Sequence, residues 1–273
     1  MPERPDLDYV VPILQRELTG LQIVRSRVKK PVVLRALGPI EGKIIEISRL
    51  AQVVVFRLEA AVLAISPMLA GRFLICEPEK KDSADLAVAF GLSDGRELRY
   101  RDDVQMGKVY LLPPGQPVPG LEQVGVDVLG PGWTRAHFAA LCRSRRDQLK
   151  VFLMDKAAID AMGNAYADEV CWEAQLHPKR SVRKLSPEEQ ERLFLAIPKV
   201  IGEAAATIQR RRPPLDEKLR DFLHVRGKAG QPCDRCGTTL RTVGVHGHDA
   251  HFCPACQPDT EAKGMVDWRK LSG

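Results

Sequence analysis

The chain of 273 residues is 44% hydrophobic and 28% charged, an ordinary globular balance in a chain long enough for two domains. No apolar run reaches the ~18 residues that suggest a membrane span. The start carries Glu3, Asp6 and Asp8 and lacks the basic-then-apolar layout of a secretory signal, so a reducing cytoplasm and no membrane association are the expectations. Basic residues outnumber acidic ones 41 to 35, leaving a formal charge of +6 and a pI near 9.0, a mild lean toward a polyanionic partner.

At the start, Met1-Pro2-Glu3 is a compact chemical kit once Met1 is removed. Pro2 then becomes a terminal secondary amine, whose reference pKa of ~7.7–8 leaves a useful neutral, nucleophilic fraction near neutrality. Taken alone, these three residues read more simply as a frayed terminus. Leu7, Val10, Val11, Leu14 and Leu18 then fall on one helical face and predict a helix starting near Pro5 or Asp6. Its positive end would favour the unprotonated amine. Catalysis on this plan needs the Pro2 nitrogen to be accessible.

Residues 22 to about 112 are strand-and-turn sequence, with short runs such as Val53-Val54-Val55-Phe56 and Val62-Leu63-Ala64-Ile65 broken by Gly and Pro. The Pro- and Gly-rich stretch 113–120 reads as a linker. From Thr134 to about Arg212 the pattern is helical. Ser186-Pro187-Glu188-Glu189 is a capping box opening a helix that carries Leu193, Phe194, Ile197, Val200 and Ile201, with Pro198 predicted to kink it.

Of seven cysteines, four form the pattern Cys233-x2-Cys236, sixteen residues, Cys253-x2-Cys256. Two spaced pairs of this kind close one tetrahedral site, and four thiolates make the zinc ion structural rather than catalytic. Cys76, Cys142 and Cys171 read as small core residues. His246, His248 and His251 lie between the pairs and read as surface or contact residues, because four sulfurs already complete the tetrahedron.

These features together resemble one family. Met1-Pro2-Glu3, the segment Lys150-Val151-Phe152-Leu153-Met154-Asp155, the run Met162-Gly163-Asn164-Ala165-Tyr166-Ala167-Asp168-Glu169, His177-Pro178 and Cys233 to Gln257 look like the formamidopyrimidine-DNA glycosylase and endonuclease VIII family, in the family's order over nearly the whole chain. The resemblance implies an α+β fold: an N-terminal β-sandwich with its leading helix at 1–115, a linker at 116–133, a helix-two-turn-helix domain at 134–225, a zinc finger at 226–260 and a tail at 261–273. It further implies a monomer that binds damaged DNA between two lobes and, in a bacterium, works at the nucleoid.

The implied chemistry is attack of the Pro2 amine on C1′ of a damaged nucleoside, base release and strand cleavage through an iminium, with Glu3 exchanging protons. The damaged base must first leave the stack. Asn164, in a turn before a helix, and Lys150 match family phosphate contacts. Departures are numerous. Aligning on Arg49 places Gln52 at the family's hairpin lysine, and Asp6 stands where glutamate is usual. The void-filling side chains would be Leu69, Val104 and Met106, which keeps an apolar wedge and loses an arginine for the orphaned base. His248 replaces the zinc-finger arginine with an imidazole, whose charge is not fixed as a guanidinium's is.

The resulting expectation is an atypical bifunctional DNA glycosylase and AP lyase, leaning to the endonuclease VIII branch because the segment from Arg212 to Cys233 is short. Oxidised pyrimidines, abasic sites, or single-stranded or crosslinked DNA are its candidate substrates. The alternative is a damaged-DNA-binding member with weak or lost catalysis, which Gln52 and the missing arginine favour.

Overall fold

A computed structural model describes residues 2–36, 38–160 and 162–259; Met1 and the expected tail at 261–273 lie outside the described residues. Two compact units emerge, and neither is contiguous in sequence. Among the described residues the first comprises those of 2–133, 155–163 and 198–221, and the second those of 134–154, 164–197 and 222–259.

The first unit opens with helix α1 (Arg4–Leu18), whose N-cap is Glu3. It therefore starts one or two residues earlier than the apolar spacing suggested. The reason is local: Asp6, at the third helical position, accepts the Glu3 backbone N–H at 2.8 Å, and Pro5 sits in the first turn, where a missing donor costs nothing. Leu7, Val11, Leu14 and Leu18 of the predicted face are buried.

Nine strands follow: β1 (Gln22–Val28), β2 (Leu34–Arg35), β3 (Gly42–Leu50), β4 (Val53–Leu58), β5 (Val62–Ser66), β6 (Arg72–Cys76), β7 (Leu86–Leu92), β8 (Glu97–Arg101) and β9 (Lys108–Leu112). Their hydrogen-bonded order is β2-β9-β5-β4-β3-β1-β7-β8-β6. The two halves of the sandwich are thus one continuous ladder, joined by the short β1–β3 pairing of Gln22 with Lys43 and Ile23 with Gly42. They close on each other because both contribute to one core: Val54, Phe56, Leu63 and Ile65 from one half pack in the same cluster as Phe73, Val88, Phe90 and Leu98 from the other. Leu7, Leu14 and Leu18 of α1 join that cluster. Beyond β9, residues 113–133 contain only an isolated bridge between Val126 and Ile159.

In the second unit α2 (Arg135–Ser144), α3 (Leu149–Met154) and α4 (Asn164–Glu173) precede the first part of α5 (Pro187–Arg211). The Ser186 box forms as the sequence predicts, with Glu189 N–H donating to Ser186 Oγ at 3.2 Å and Ser186 N–H to Glu189 Oε2 at 2.8 Å. The helix runs through Pro198, which is also where the chain passes from the second unit to the first. A hairpin of β10 (Arg241–Val245) and β11 (His248–Phe252) carries the cysteines on its flanks. Cys142 and Cys171 are buried as expected, whereas Cys76, at the end of β6, is only partly covered. Among the described residues no helix is long and apolar enough to cross a membrane.

Candidate active site and nucleic-acid interface

Around the start of α1 the first unit assembles a dense polar centre. Glu3, 3% exposed, accepts the Gly163 N–H at 2.9 Å, and Gln52, 4% exposed, donates from Nε2 to Met162 O at 3.3 Å. Met162 C=O and Gly163 N–H belong to one peptide unit, so the two candidate residues grip opposite edges of a single amide. The approach is close: a Cβ at Gly163 would lie 2.8 Å from Glu3 Cδ. Gln52 reaches this position from the β3–β4 turn, where Ala51 has a φ of 49°. Its Oε1 is buried without a hydrogen-bond partner among the described residues. Arg49 leads into the turn and is anchored by Asp160 at 2.7 Å.

Asp6 belongs to the same centre, and its carboxylate is held from two sides. Besides the Glu3 N–H, it takes two hydrogen bonds from Arg220, at 2.8 and 2.6 Å. The bidentate geometry is the strong form of this contact. Arg4 pairs with Asp8 and Asp127 and fixes the first turn.

Pro2 is buried, which corrects the expectation of an accessible amine. The burial is that of the chain still carrying Met1, in which the Pro2 ring lies on the wall of a pocket shared with Asp6, Leu7, Gly71, Arg72, Phe73 and Lys218.

Leu69, Val104 and Met106 are about half exposed, at 51%, 49% and 46%. Leu69 crowns the β5–β6 turn, which is tight enough that a Cβ on Gly71 would lie 2.4 Å from Pro67 O. Val104 and Met106 sit on the β8–β9 loop, organised by Asp102, whose carboxylate accepts the N–H groups of Gln105 at 3.0 Å and Gly107 at 2.7 Å. Large apolar side chains raised into solvent on shaped loops are costly unless something covers them.

In the second unit Asn164 starts α4, and its Nδ2 donates to Asp249 Oδ1 at 3.0 Å. Its Oδ1 has no hydrogen-bond partner among the described residues. Lys150 is not available to a phosphate. It is 0% exposed and pairs with the equally buried Asp168 at 2.5 Å, while donating to Asp249 O at 2.6 Å. The phosphate role expected of it is therefore revised: the ammonium is an internal strut between α4 and the zinc hairpin. Arg226 completes the network, reaching Asp168 at 3.1 Å and the Asp249 carboxylate at 3.1 and 3.2 Å. Partial burial alone would raise the Asp249 carboxyl, yet the hydrogen bonds from Asn164 and Arg226 outweigh it and hold it at about 2. His248 is exposed at the start of β11, next to a turn in which His246 and Gly247 have φ of 45° and 81°. Gly247 suits that left-handed position, and such a turn matches the twist of a hairpin.

The thiolates of Cys233, Cys236, Cys253 and Cys256 lie within 4.8 Å of one another. Sulfurs bound tetrahedrally at ~2.3 Å from zinc stand roughly 3.8 Å apart, so the set fits a structural zinc ion. Trp172 of α4 supports it: its indole N–H points at Cys233 Sγ at 3.4 Å, with His224 stacked at 4.2 Å and Arg235 4.0 Å from the ring centre.

Arg220, Lys218, Arg226 and Asp249 escaped the sequence reading. They lie in irregular segments or on a short hairpin, where no period marks a partner, and Arg220 reaches Asp6 across 214 residues.

Comparison with known proteins agrees along the chain. The formamidopyrimidine-DNA glycosylase N-terminal domain matches residues 1–109, the H2TH domain of the same enzymes 124–211, and the zinc finger found in FPG and IleRS 230–258. A formamidopyrimidine-DNA glycosylase of Symbiobacterium thermophilum is 33% identical over 100% of this chain and 94% of its own length. That of Listeria innocua is 30% identical over 94% of this chain and 100% of its own. Both carry the glycosylase name, so the leaning toward the endonuclease VIII branch gains no support from them. In fold, the Lactococcus lactis Fpg bound to DNA containing an oxidized pyrimidine matches with a TM-score of 0.86 at 22% identity, over 94% of this chain and 100% of that one. The same protein with abasic-site DNA gives 0.85 at 22% identity over the same shares. With its three domains matched in order and these relatives covered nearly end to end, the chain belongs to the formamidopyrimidine-DNA glycosylase family.

Proposed function

We propose that the protein is a DNA repair glycosylase with AP-lyase activity whose nucleophile is the amine of Pro2, set free by removal of Met1. The observation that carries this reading is the placement of Glu3, a buried carboxylate one residue from Pro2 and held by the Gly163 N–H at 2.9 Å. A fixed carboxylate beside an amine is the minimum set for proton exchange during covalent catalysis. In the first step the Pro2 nitrogen forms a bond to C1′ as the glycosidic bond breaks, and the base leaves with its electron pair and a proton. Cleavage of the C1′–O4′ bond, with Glu3 passing a proton to O4′, then opens the sugar and converts this amine to an iminium, and loss of a C2′ proton permits elimination of the 3′ phosphate. The pocket bordering Pro2 is small in this structure, so the flipped nucleotide requires the walls of the site to move.

Asn164 and His248 are the proposed phosphate contacts, supported by the start of α4 and by an exposed hairpin position. Leu69, Val104 and Met106 are the proposed wedge filling the space of the extruded nucleotide, supported by their exposure on two loops of one unit. The enzyme acts as a monomer on damaged DNA, single- or double-stranded.

Sodium borohydride trapping on abasic DNA tests the reading, with Pro2→Gly as control and mass spectrometry of the mature amino terminus alongside. A covalent adduct in the wild type, lost in the control, is the expected result. A retained methionine, or no adduct in any strand context, overturns the enzyme reading in favour of a damaged-DNA-binding protein. That second reading draws on Gln52, an uncharged amide holding Met162 O at 3.3 Å where catalysis in the family is expected to have a lysine.

A further inference from the structure

One cation on the wall of the Pro2 pocket has no part in the chemistry above. Lys218 lies in the irregular stretch after α5, partly buried, and shares the pocket with Pro2, Asp6, Gly71 and Arg72. Its Nζ donates to Leu69 O at 3.3 Å, in the turn that carries a candidate wedge residue. An ammonium has three donors, and among the described residues no other hydrogen bond and no ion pair engages this one.

Neighbouring acids are already engaged. Asp6 is neutralised by Arg220, and Glu3 accepts from Gly163. Arg72 of β6 and Arg220 add like charge, while Tyr9 and Glu217 are the remaining ionisable groups of the wall. Burial is the largest influence on Lys218 and lowers its pKa. Asp6 opposes this, Arg220 and Arg72 reinforce it, Glu3 opposes it, and the balance lies at about 8. A partly desolvated ammonium without a counter-ion is an arrangement that an anionic ligand relieves.

We infer that Lys218 is a phosphate-binding residue of this site, its ammonium taking an oxygen of a DNA phosphate beside the sugar that Pro2 attacks. The inference rests on the DNA-repair reading and deepens it. Gln52 brings no charge to the centre, whereas Lys218 brings a compact cation to the same pocket as the nucleophile and to the base of the Leu69 turn. One side chain thereby couples phosphate capture to the position of an apolar loop.

The test compares wild type, Lys218→Gln and Lys218→Arg in binding a duplex that contains a tetrahydrofuran abasic analogue, by fluorescence anisotropy across a potassium chloride series. Each neutralised phosphate steepens the plot of log affinity against log salt by about 0.9. Lys218→Gln is expected to flatten it by that amount, and Lys218→Arg to restore it. Raising the pH from about 7 to about 9.5 removes the proton of an ammonium with a lowered pKa, so wild-type affinity falls severalfold while that of Lys218→Arg does not. An unchanged slope in Lys218→Gln, or the same alkaline fall in Lys218→Arg, overturns the inference. Wild-type protein without salt-dependent binding would refute the DNA reading itself. Normal binding without a borohydride adduct would refute only the catalytic half, leaving Lys218 in place.

Discussion

Replacing Lys150 with methionine separates two roles that the same residue could have in a DNA-binding protein. Methionine preserves most of the volume and removes the charge. Lys150 and Asp168 are both 0% exposed at a separation of 2.5 Å, and removing one member of a buried pair costs about 3–5 kcal/mol because the other charge is stranded. Asp168 keeps Arg226 at 3.1 Å and the His251 N–H at 3.1 Å, which argues for the lower end, about 3 kcal/mol. At roughly 2–4 °C per kcal/mol for a protein of this size class, the melting temperature falls by about 6–12 °C. Asp168, already pushed up by burial against the pull of Lys150, rises further, and adding Asp168→Asn recovers part of the loss. Calorimetry reads the melting temperature, and a salt series on duplex DNA reads the phosphate count. A melting shift under about 2 °C, together with a salt slope flatter by about 0.9, would return Lys150 to the role of a direct phosphate ligand and refute the strut.

Gly163→Ala is expected to leave the melting temperature within about 1 kcal/mol equivalent while cutting base release at least tenfold, because the new Cβ, 2.8 Å from Glu3 Cδ, displaces the carboxylate; single-turnover kinetics with saturating enzyme checks this. Asp249→Asn alters the acid limb of stability. The Asp249 carboxyl is depressed to about 2 in the folded protein from 3.8, so its contribution is present above about pH 4 and lost as pH falls toward about 2. The variant should therefore show a shallower decline between those limits in acid-denaturation curves. Stripping zinc with a strong chelator should unfold the hairpin and change Trp172 fluorescence in step with metal release, since the indole N–H lies 3.4 Å from Cys233 Sγ; unchanged emission at full release would contradict the coupling.

Much of the fold could be read from local patterns. The apolar face of α1, the β-branched runs of β4 and β5, the Ser186 capping box and the paired cysteines each depend on neighbours a few residues apart, and each forms. What escaped depends on distant charges. Nothing near Asp6 announces Arg220, and Lys150 reads as a surface cation until Asp168 and the Asp249 carbonyl enclose it. Gln52 could be recognised as a substitution, but its grip on Met162 O required coordinates. The burial of Pro2 depends on how the segment around Lys218 folds against the first turn, which no local pattern shows.

That burial has a consequence in time. An aminopeptidase can trim Met1 only while the second residue is reachable, and the pocket wall contributed by Leu215, Glu217, Lys218 and Leu219 leaves the ribosome late. Strand pairing is late as well: β1 waits for β7, and β2 for β9. The nascent chain therefore offers a long interval in which its leading end is open to processing, followed by closure. If trimming misses that interval, the nitrogen proposed as the nucleophile stays blocked behind a finished wall, and on that proposal the active fraction in a preparation is decided during synthesis.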